Sequence, residues 1–280
     1  MRIITDSAAD FTKEELRAHN VYCVSTQIIF GDQVYTAGKD LTDEEFWEHL
    51  LAGESLKTSQ PTPESYMEVF EAAKEANEEV VCICLSSALS GTIQSARLAA
   101  SMVDYSRIHI VDSLLGAAAQ KLLVLYACRL RDEGRLIVEE LVHKLEALRS
   151  RVHLFASLDT LESLARSGRI PKALANLGSL AQLKPLLEVS RDGRIVLGGK
   201  AFGRHRAIDS LAKRIASLKL DPEHPIIPFY SYNSANCKAL IERLAHYGVQ
   251  IDTSLLSALG TAISGHIGPN AYGAAFVVAE

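Results

Sequence analysis

Val80-Val81-Cys82-Ile83-Cys84-Leu85 runs directly into Ser86-Ser87-Ala88-Leu89-Ser90-Gly91-Thr92, an apolar stretch of strand length that breaks into small hydroxyl residues before a helical pattern begins. A continuous apolar run of this kind suits a parallel strand covered on both faces. A strand that ends in hydroxyls and turns into a helix presents backbone N–H groups beside side-chain donors, which suits a carboxylate or a phosphate. Two β-branched runs, Arg2-Ile3-Ile4-Thr5 and Arg107-Ile108-His109-Ile110-Val111, end similarly in Asp6-Ser7 and Asp112-Ser113. Three predicted strands thus finish in polar residues, where a parallel sheet usually places its ligand crevice. The N-terminal half reads as α/β.

Outward from this stretch, Thr42-Asp43-Glu44-Glu45 has capping-box spacing ahead of Phe46, Trp47, Leu50 and Leu51, and Thr62-Pro63-Glu64 opens a further helix with proline at its first position. A second hydroxyl-rich stretch, Thr58-Ser59-Gln60-Pro61, lies between them and reads as a loop between helices. Leu136 to Arg149 continues the helical pattern, and Val152-His153-Leu154-Phe155-Ala156 is strand-like. The expected organisation is an N-terminal α/β domain over residues 1–152 and a C-terminal α/β domain over residues 153–280. The second half predicts a helix near Thr160 to Ser167, a turn at Gly168 to Pro171 and a Leu/Ala-rich helical segment. A hairpin follows, in which Leu186 to Ser190 and Arg194 to Leu197 flank the Asp192-Gly193 turn. Helices near Arg206 to Leu218 and Ser234 to Tyr247, and strands at Ile226 to Tyr230 and Gly273 to Ala279, complete the pattern.

The chain has 280 residues, 48% of them hydrophobic and 22% charged, the balance of an ordinary globular protein with a sizeable core. A net charge of -5 does not favour a broad nucleic-acid surface, which needs dense Lys and Arg. Five scattered cysteines without CxxC spacing read as free thiols in a reducing compartment, so the cytoplasm is the expected location. Asp6 and Asp10 interrupt the N-terminus before a signal-peptide core can develop. Leu114 to Leu130 is broken by Gln120, Lys121 and Arg129 and reads as a buried helix rather than a membrane span.

From the residues alone, Ser87 or Ser90 can serve simply as an N-cap for the helix near Thr92, and Thr58-Ser59-Gln60-Pro61 can be a plain turn. Asp6 and Asp112 fit loop-tying roles at strand ends, and Cys82 and Cys84 fit core thiols on a buried strand. A serine hydrolase of the usual α/β kind would show GxSxG, whereas Ser90 sits in Ala-Leu-Ser-Gly-Thr. A P-loop would place lysine after its glycines, and Gly91 is followed by Thr92-Ile93-Gln94. The nine histidines show no metal-ligand spacing, so neither metal nor cofactor is expected.

In sequence order, Ile4-Thr5-Asp6-Ser7, Lys57-Thr58-Ser59-Gln60-Pro61, Ser86-Ser87-x-Leu89-Ser90-Gly91-Thr92, Val111-Asp112-Ser113, Gly168-Arg169-Ile170, Lys184-Pro185 and Gly265-His266-x-Gly268-Pro269 resemble the DegV family of fatty-acid-binding proteins. The resemblance implies two α/β domains, the second with a mixed or antiparallel sheet, holding a long-chain fatty acid such as palmitate in a buried tunnel. It implies a carrier without catalytic apparatus of its own, which in some members presents the acid to a fatty acid kinase. Carried over by motif, Thr58, Ser90 and His266 would contact the carboxylate, with Ser59, Ser87, Gly91 and Thr92 as further headgroup candidates. Arg169, Lys200, Arg204 and Arg206 would face the kinase. The family's Lys-x-Arg-Gly segment is Lys200-Ala201-Phe202-Gly203 here, so its arginine is replaced by Phe202. Likewise Asn270 stands where the family has the last glycine of a GPG motif, and Ala88 where lysine is common. Two alternatives remain at this level: an esterase or acyl-transfer enzyme with Ser90 as nucleophile and His266 as base, and a phosphate-ligand sensor using the same strand-to-helix turn.

Overall fold

The computed structural model describes residues 1–174 and 182–280. The chain divides into two compact units, one of residues 1–150 with 260–262, the other of residues 151–259 with 263–280. Part of the Leu/Ala-rich segment expected after Pro171 lies outside the described residues.

In the first unit, β1 (Arg2–Asp6), α1 (Lys13–Ala18), β2 (Val21–Val24), β3 (Gln27–Phe30), β4 (Gln33–Thr36), α2 (Asp43–Leu51) and β5 (Leu56–Ser59) precede α3 (Pro63–Glu75) and β6 (Val80–Cys84). They are followed by α4 (Thr92–Val103), β7 (Ile108–Asp112), α5 (Ala117–Glu133) and α6 (Val138–Arg149). Strands β2-β1-β6-β7 form an all-parallel sheet in that order. Its two central strands are buried along their whole length, as their unbroken apolar runs require. Alternation divides the faces of β6. Val80, Cys82 and Cys84 pack with Ile4 under Tyr66 and Phe70 of α3 and Ile93, Ala96 and Ala99 of α4. The opposite face meets α5, whose Gln120 donates to Thr5 Oγ1 (3.1 Å).

The sequence leaves β1 towards β2 on one side and β6 towards β7 on the other. The carboxyl ends of β1 and β6 therefore flank the point where strand order reverses, the usual crevice of an open parallel sheet. The hydroxyl-rich loop after β6 begins at this point.

A second, three-stranded antiparallel sheet, β4-β3-β5, corrects the expectation that Thr58 and Ser59 lie in a loop between helices. Leu56–Ser59 is extended because it pairs with β3, Thr58 opposite Ile28 and Ser59 opposite Gln27. Ile28 and Phe30 of this sheet bury against Phe46 of α2. Helix α2 carries the expected capping box, with Glu45 N donating to Thr42 Oγ1 (3.2 Å) and Thr42 N to Glu45 Oε2 (2.9 Å). Thr62 and Pro63 open α3 as their chemistry dictates.

The second unit contains β8 (Val152–Ser157), α7 (Glu162–Arg166), β9 (Leu183–Val189), β10 (Ile195–Phe202), α8 (Arg204–Ala216), β11 (Ile227–Tyr230), α9 (Ala235–His246), β12 (Ser257–Ala258), the rest of α10 (Thr261–Ile267) and β13 (Tyr272–Val277). Its sheet has the order β10-β9-β8-β13-β11-β12 and is mixed: β11 and β12 are parallel and the remaining pairs antiparallel. The hairpin expected around Asp192-Gly193 is the β9–β10 pair. Helices α8 and α9 cover one face through Ala207, Leu211, Ile215, Leu240 and Leu244. Asp209 joins them by accepting from Tyr247 Oη (2.7 Å) and Arg243 Nε (2.6 Å). Gly273 is obligatory in β13, because a Cβ there would collide with the Phe155 carbonyl oxygen and lie 2.6 Å from Phe229 Cζ.

Candidate functional site

The loop after β6 is held from below by two carboxylates. Asp6, at the end of β1, accepts from Leu85 N (2.7 Å) and Gln120 Nε2 (3.3 Å) on one oxygen and from Ala8 N (3.0 Å) on the other. Asp112, at the end of β7, accepts from Ser87 N (3.2 Å) and Leu114 N (3.0 Å). Both aspartates act as ties for the loops that follow the strands. Burial pushes the Asp6 carboxyl up to about 6, against the lowering effect of the Leu85 and Ala8 amides and the Gln120 side chain.

Above these ties the chain makes a tight turn, with Leu89 N and Ser90 N both donating to Ser86 O. Helix α4 then starts with Gly91 as its N-cap and no side-chain cap. Neither Ser87 nor Ser90 fills the N-cap position left open for them by the sequence. Ser90 Oγ instead accepts from Thr92 N (3.3 Å) and shares a hydrogen bond with Thr92 Oγ1 (2.9 Å). Ser87 is exposed on the loop, Ser90 half-buried and Thr92 buried.

The second hydroxyl segment reaches this turn through a residue that sequence reasoning did not single out as functional. Gln60 follows β5 directly, and its Nε2 donates to Ser95 Oγ (2.8 Å) in the first turns of α4. Its amide also occupies the space beside Gly91 where a Cβ would stand. Thr58 and Ser59, half-buried at the end of β5, are thereby anchored to the start of α4. The structure thus joins the segment that ends in Thr58 and Ser59 to the helix start at Gly91 through Gln60. The overlooked signal was Gln27 to Tyr35, two β-branched runs around Gly31-Asp32, which marks a hairpin to which β5 can add.

The other sequence-derived candidates lie in the second unit. His266 is half-buried on α10. Its burial, reinforced by the Arg169 cation, lowers its basicity to about 4, so its imidazole is neutral near pH 7. Arg169 is half-buried and donates to Ser167 O (2.6 Å). Lys200 near the end of β10 and Arg204 and Arg206 at the start of α8 are exposed, as is Phe202, at 53%. Among the described residues no group of three or more His, Cys, Asp or Glu is arranged to hold a metal ion, and no helix is long and apolar enough to cross a membrane.

A family model described as an uncharacterised protein of the DegV family matches residues 1–279. The chain belongs to the DegV family. A DegV domain-containing protein of Streptococcus pyogenes serotype M3 is 33% identical over 286 residues, covering 99% of this DegV chain and 98% of the relative. A stearic acid-binding protein from Eubacterium ventriosum has a similar structure, with a TM-score of 0.89, 28% identity and coverage of 99% and 98% of the two chains. A fatty-acid-binding DegV protein from Thermus thermophilus matches with a TM-score of 0.87, 31% identity and coverage of 99% and 100%. In this DegV chain, two loops that the sequence leaves 25 or more residues apart meet at one helix start.

Proposed function

We propose that this DegV protein is a cytoplasmic carrier that binds a long-chain fatty acid such as palmitate in a buried tunnel and presents it for phosphorylation or transport. The observation that carries this reading is its full-length likeness to structures named for stearic acid and fatty acid binding. The two segments that Gln60 joins offer small donors as a physical basis. Thr58 and Ser90 hydrogen-bond the carboxylate, and the neighbouring hydroxyls and amides of Ser59, Ser87, Gly91 and Thr92 add to a neutral headgroup site. His266, uncharged near neutrality, donates an N–H to the same group, a role resting on the family motif.

Affinity and orientation have separate sources. Burying each CH₂ contributes about 0.8 kcal/mol, so a tail of roughly fifteen contributes on the order of 12 kcal/mol before ordering and association costs. Hydroxyl donors at about 1 kcal/mol each orient the acid without burying an ion pair. Ester hydrolysis fits these groups less well. A general base works best with a pKa near the working pH, whereas His266 stays near 4.

Arg169, Lys200, Arg204 and Arg206 form the face offered to a fatty acid kinase, the cationic surface needed beside a developing acyl phosphate. The deciding experiment is to denature the purified protein, extract it with organic solvent and identify lipids by mass spectrometry. Near-stoichiometric long-chain fatty acid is expected. Protein that yields none, and takes up none when incubated with palmitate, would overturn the carrier reading. Charge reversal at Arg169 and Arg206 should stop acyl-phosphate formation by a partner kinase while the lipid content stays unchanged.

A further inference from the structure

Asp10 ends the short helical turn Ser7–Ala9 that follows β1, in a left-handed backbone conformation (φ 53°, ψ 38°) and only 5% exposed. A buried carboxyl on such a backbone is costly on both counts, which points to a task for its side chain. Lys121 of α5 fixes the main chain at this point, donating from Nζ to Asp10 O (3.3 Å) while it pairs with Glu15 Oε2 (2.7 Å). The carboxyl takes a bond from far along the sequence. Gly260 N donates to Asp10 Oδ1 (2.8 Å), and Oδ2 is buried without a hydrogen-bond partner.

Gly260 begins a three-residue strap, 260–262, that belongs to the first unit although the residues on either side of it do not. Ala262 packs in one apolar cluster with Ile28 and Phe30 of β3 and Phe46 of α2. The ends of the strap are tied to each other, Ser264 Oγ donating to Leu259 O (3.0 Å), so it forms a closed loop able to lift as one piece.

The position of the strap bears on the ligand. Thr58 is the direct cross-strand neighbour of Ile28, and residues so paired share one face of a sheet. The strap therefore packs on the face of the three-stranded sheet that presents Thr58, and Asp10 fastens it there.

We propose that Asp10 is a positioning residue that holds strap 260–262 down on the Thr58 face and thereby sets how fast a bound fatty acid leaves. Its action runs through Gly260. The role in release rests on the fatty-acid reading, whereas the fastening of the strap does not depend on it.

The test compares Asp10→Gly with Asp10→Asn in the full chain. Glycine keeps the left-handed backbone and removes the acceptor, whereas asparagine tolerates that backbone and keeps a carbonyl oxygen for Gly260 N. Amide hydrogen exchange at residues 260–262 reads the strap, and stopped-flow transfer of a fluorescent fatty acid from the protein to albumin reads release. Asp10→Gly should raise both rates about fivefold to tenfold, the loss of one hydrogen bond, and Asp10→Asn should behave as wild type. Gly260→Ala loosens the same bond from the other side, because its Cβ would stand 3.0 Å from Asp10 Oδ1. It replaces Asp10→Gly should that variant not fold. The proposal fails if exchange at 260–262 is unchanged, if release keeps its wild-type rate, or if Asp10→Asn is as fast as Asp10→Gly. Wild type that takes up no fatty acid overturns the carrier reading and the role in release together, and unchanged release from a wild type that does bind overturns the strap alone.

Discussion

The side-chain amide of Gln60 occupies the space that a Cβ on Gly91 would need, and from there it donates to Ser95. This one contact joins the end of an antiparallel strand to the start of a helix on the parallel sheet. The proposed headgroup site depends on it, because Thr58 and Ser90 come from those two elements.

Gly91→Ala separates ligand retention from folding. Gly91 has φ of -77°, which alanine adopts freely, so the added methyl acts only by pushing Gln60 aside. Stability should change by less than about 1 kcal/mol, because the displaced group is the far end of an exposed side chain. Bound fatty acid recovered by extraction should nevertheless fall. A variant that melts like wild type and retains its full lipid content would show that the loop needs no anchor.

Thr58→Ala combined with Ser90→Ala removes two neutral donors. At about 1 kcal/mol each, the loss is roughly 30-fold in palmitate affinity, read by displacement of a fluorescent fatty acid. The tail's larger contribution should keep binding measurable. Unchanged affinity together with an unchanged headgroup position in a liganded structure would remove these hydroxyls from the site.

Asp6 gives stability a specific pH dependence. Its folded pKa is raised to about 6, above that of an unfolded aspartate, so between about pH 4 and 6 the folded chain binds more protons than the unfolded one. Its contribution is therefore fully present at low pH, declines as pH rises through this window and is level above it. Urea unfolding should show wild type losing about 2 kcal/mol relative to Asp6→Asn between pH 4 and pH 7. Parallel profiles for the two proteins would mean that the carboxyl titrates normally.

Gly273→Ala should be severe. The new methyl would press on backbone at Phe155 and on the ring of Phe229, neither of which can swing away inside the sheet. Overpacking of this kind costs about 3 kcal/mol or more, visible as a drop in the thermal midpoint of the second unit. A midpoint within the error of wild type would show that β13 can shift away from β8.

Elements whose cause is local were legible. The Thr42–Glu45 capping box, the Thr62-Pro63 helix start, the buried strand Val80–Cys84 and the Asp192-Gly193 hairpin each announce themselves within a few residues. Asp6 and Asp112 fitted loop ties by their place at strand ends, and the hydrogen bonds have that form. Leu56–Ser59 was not legible as a strand: its four residues carry little β pattern and become extended only through pairing with Ile28 and its neighbours. Ser90 left a cap and a ligand donor equally open because its hydroxyl chemistry fits either role, and the local backbone gives the N-cap to Gly91.

By itself the sequence determined the hydrophobic periods, the caps and turns, and the order of motifs that marks the family, because each follows from neighbours along the chain. Only the tertiary structure decided that Gln60 meets Gly91 and that Arg204 shares a cleft with Asp159 and Asn270. Those are contacts between residues tens of positions apart, set by strand pairing and helix packing, and no local propensity encodes them.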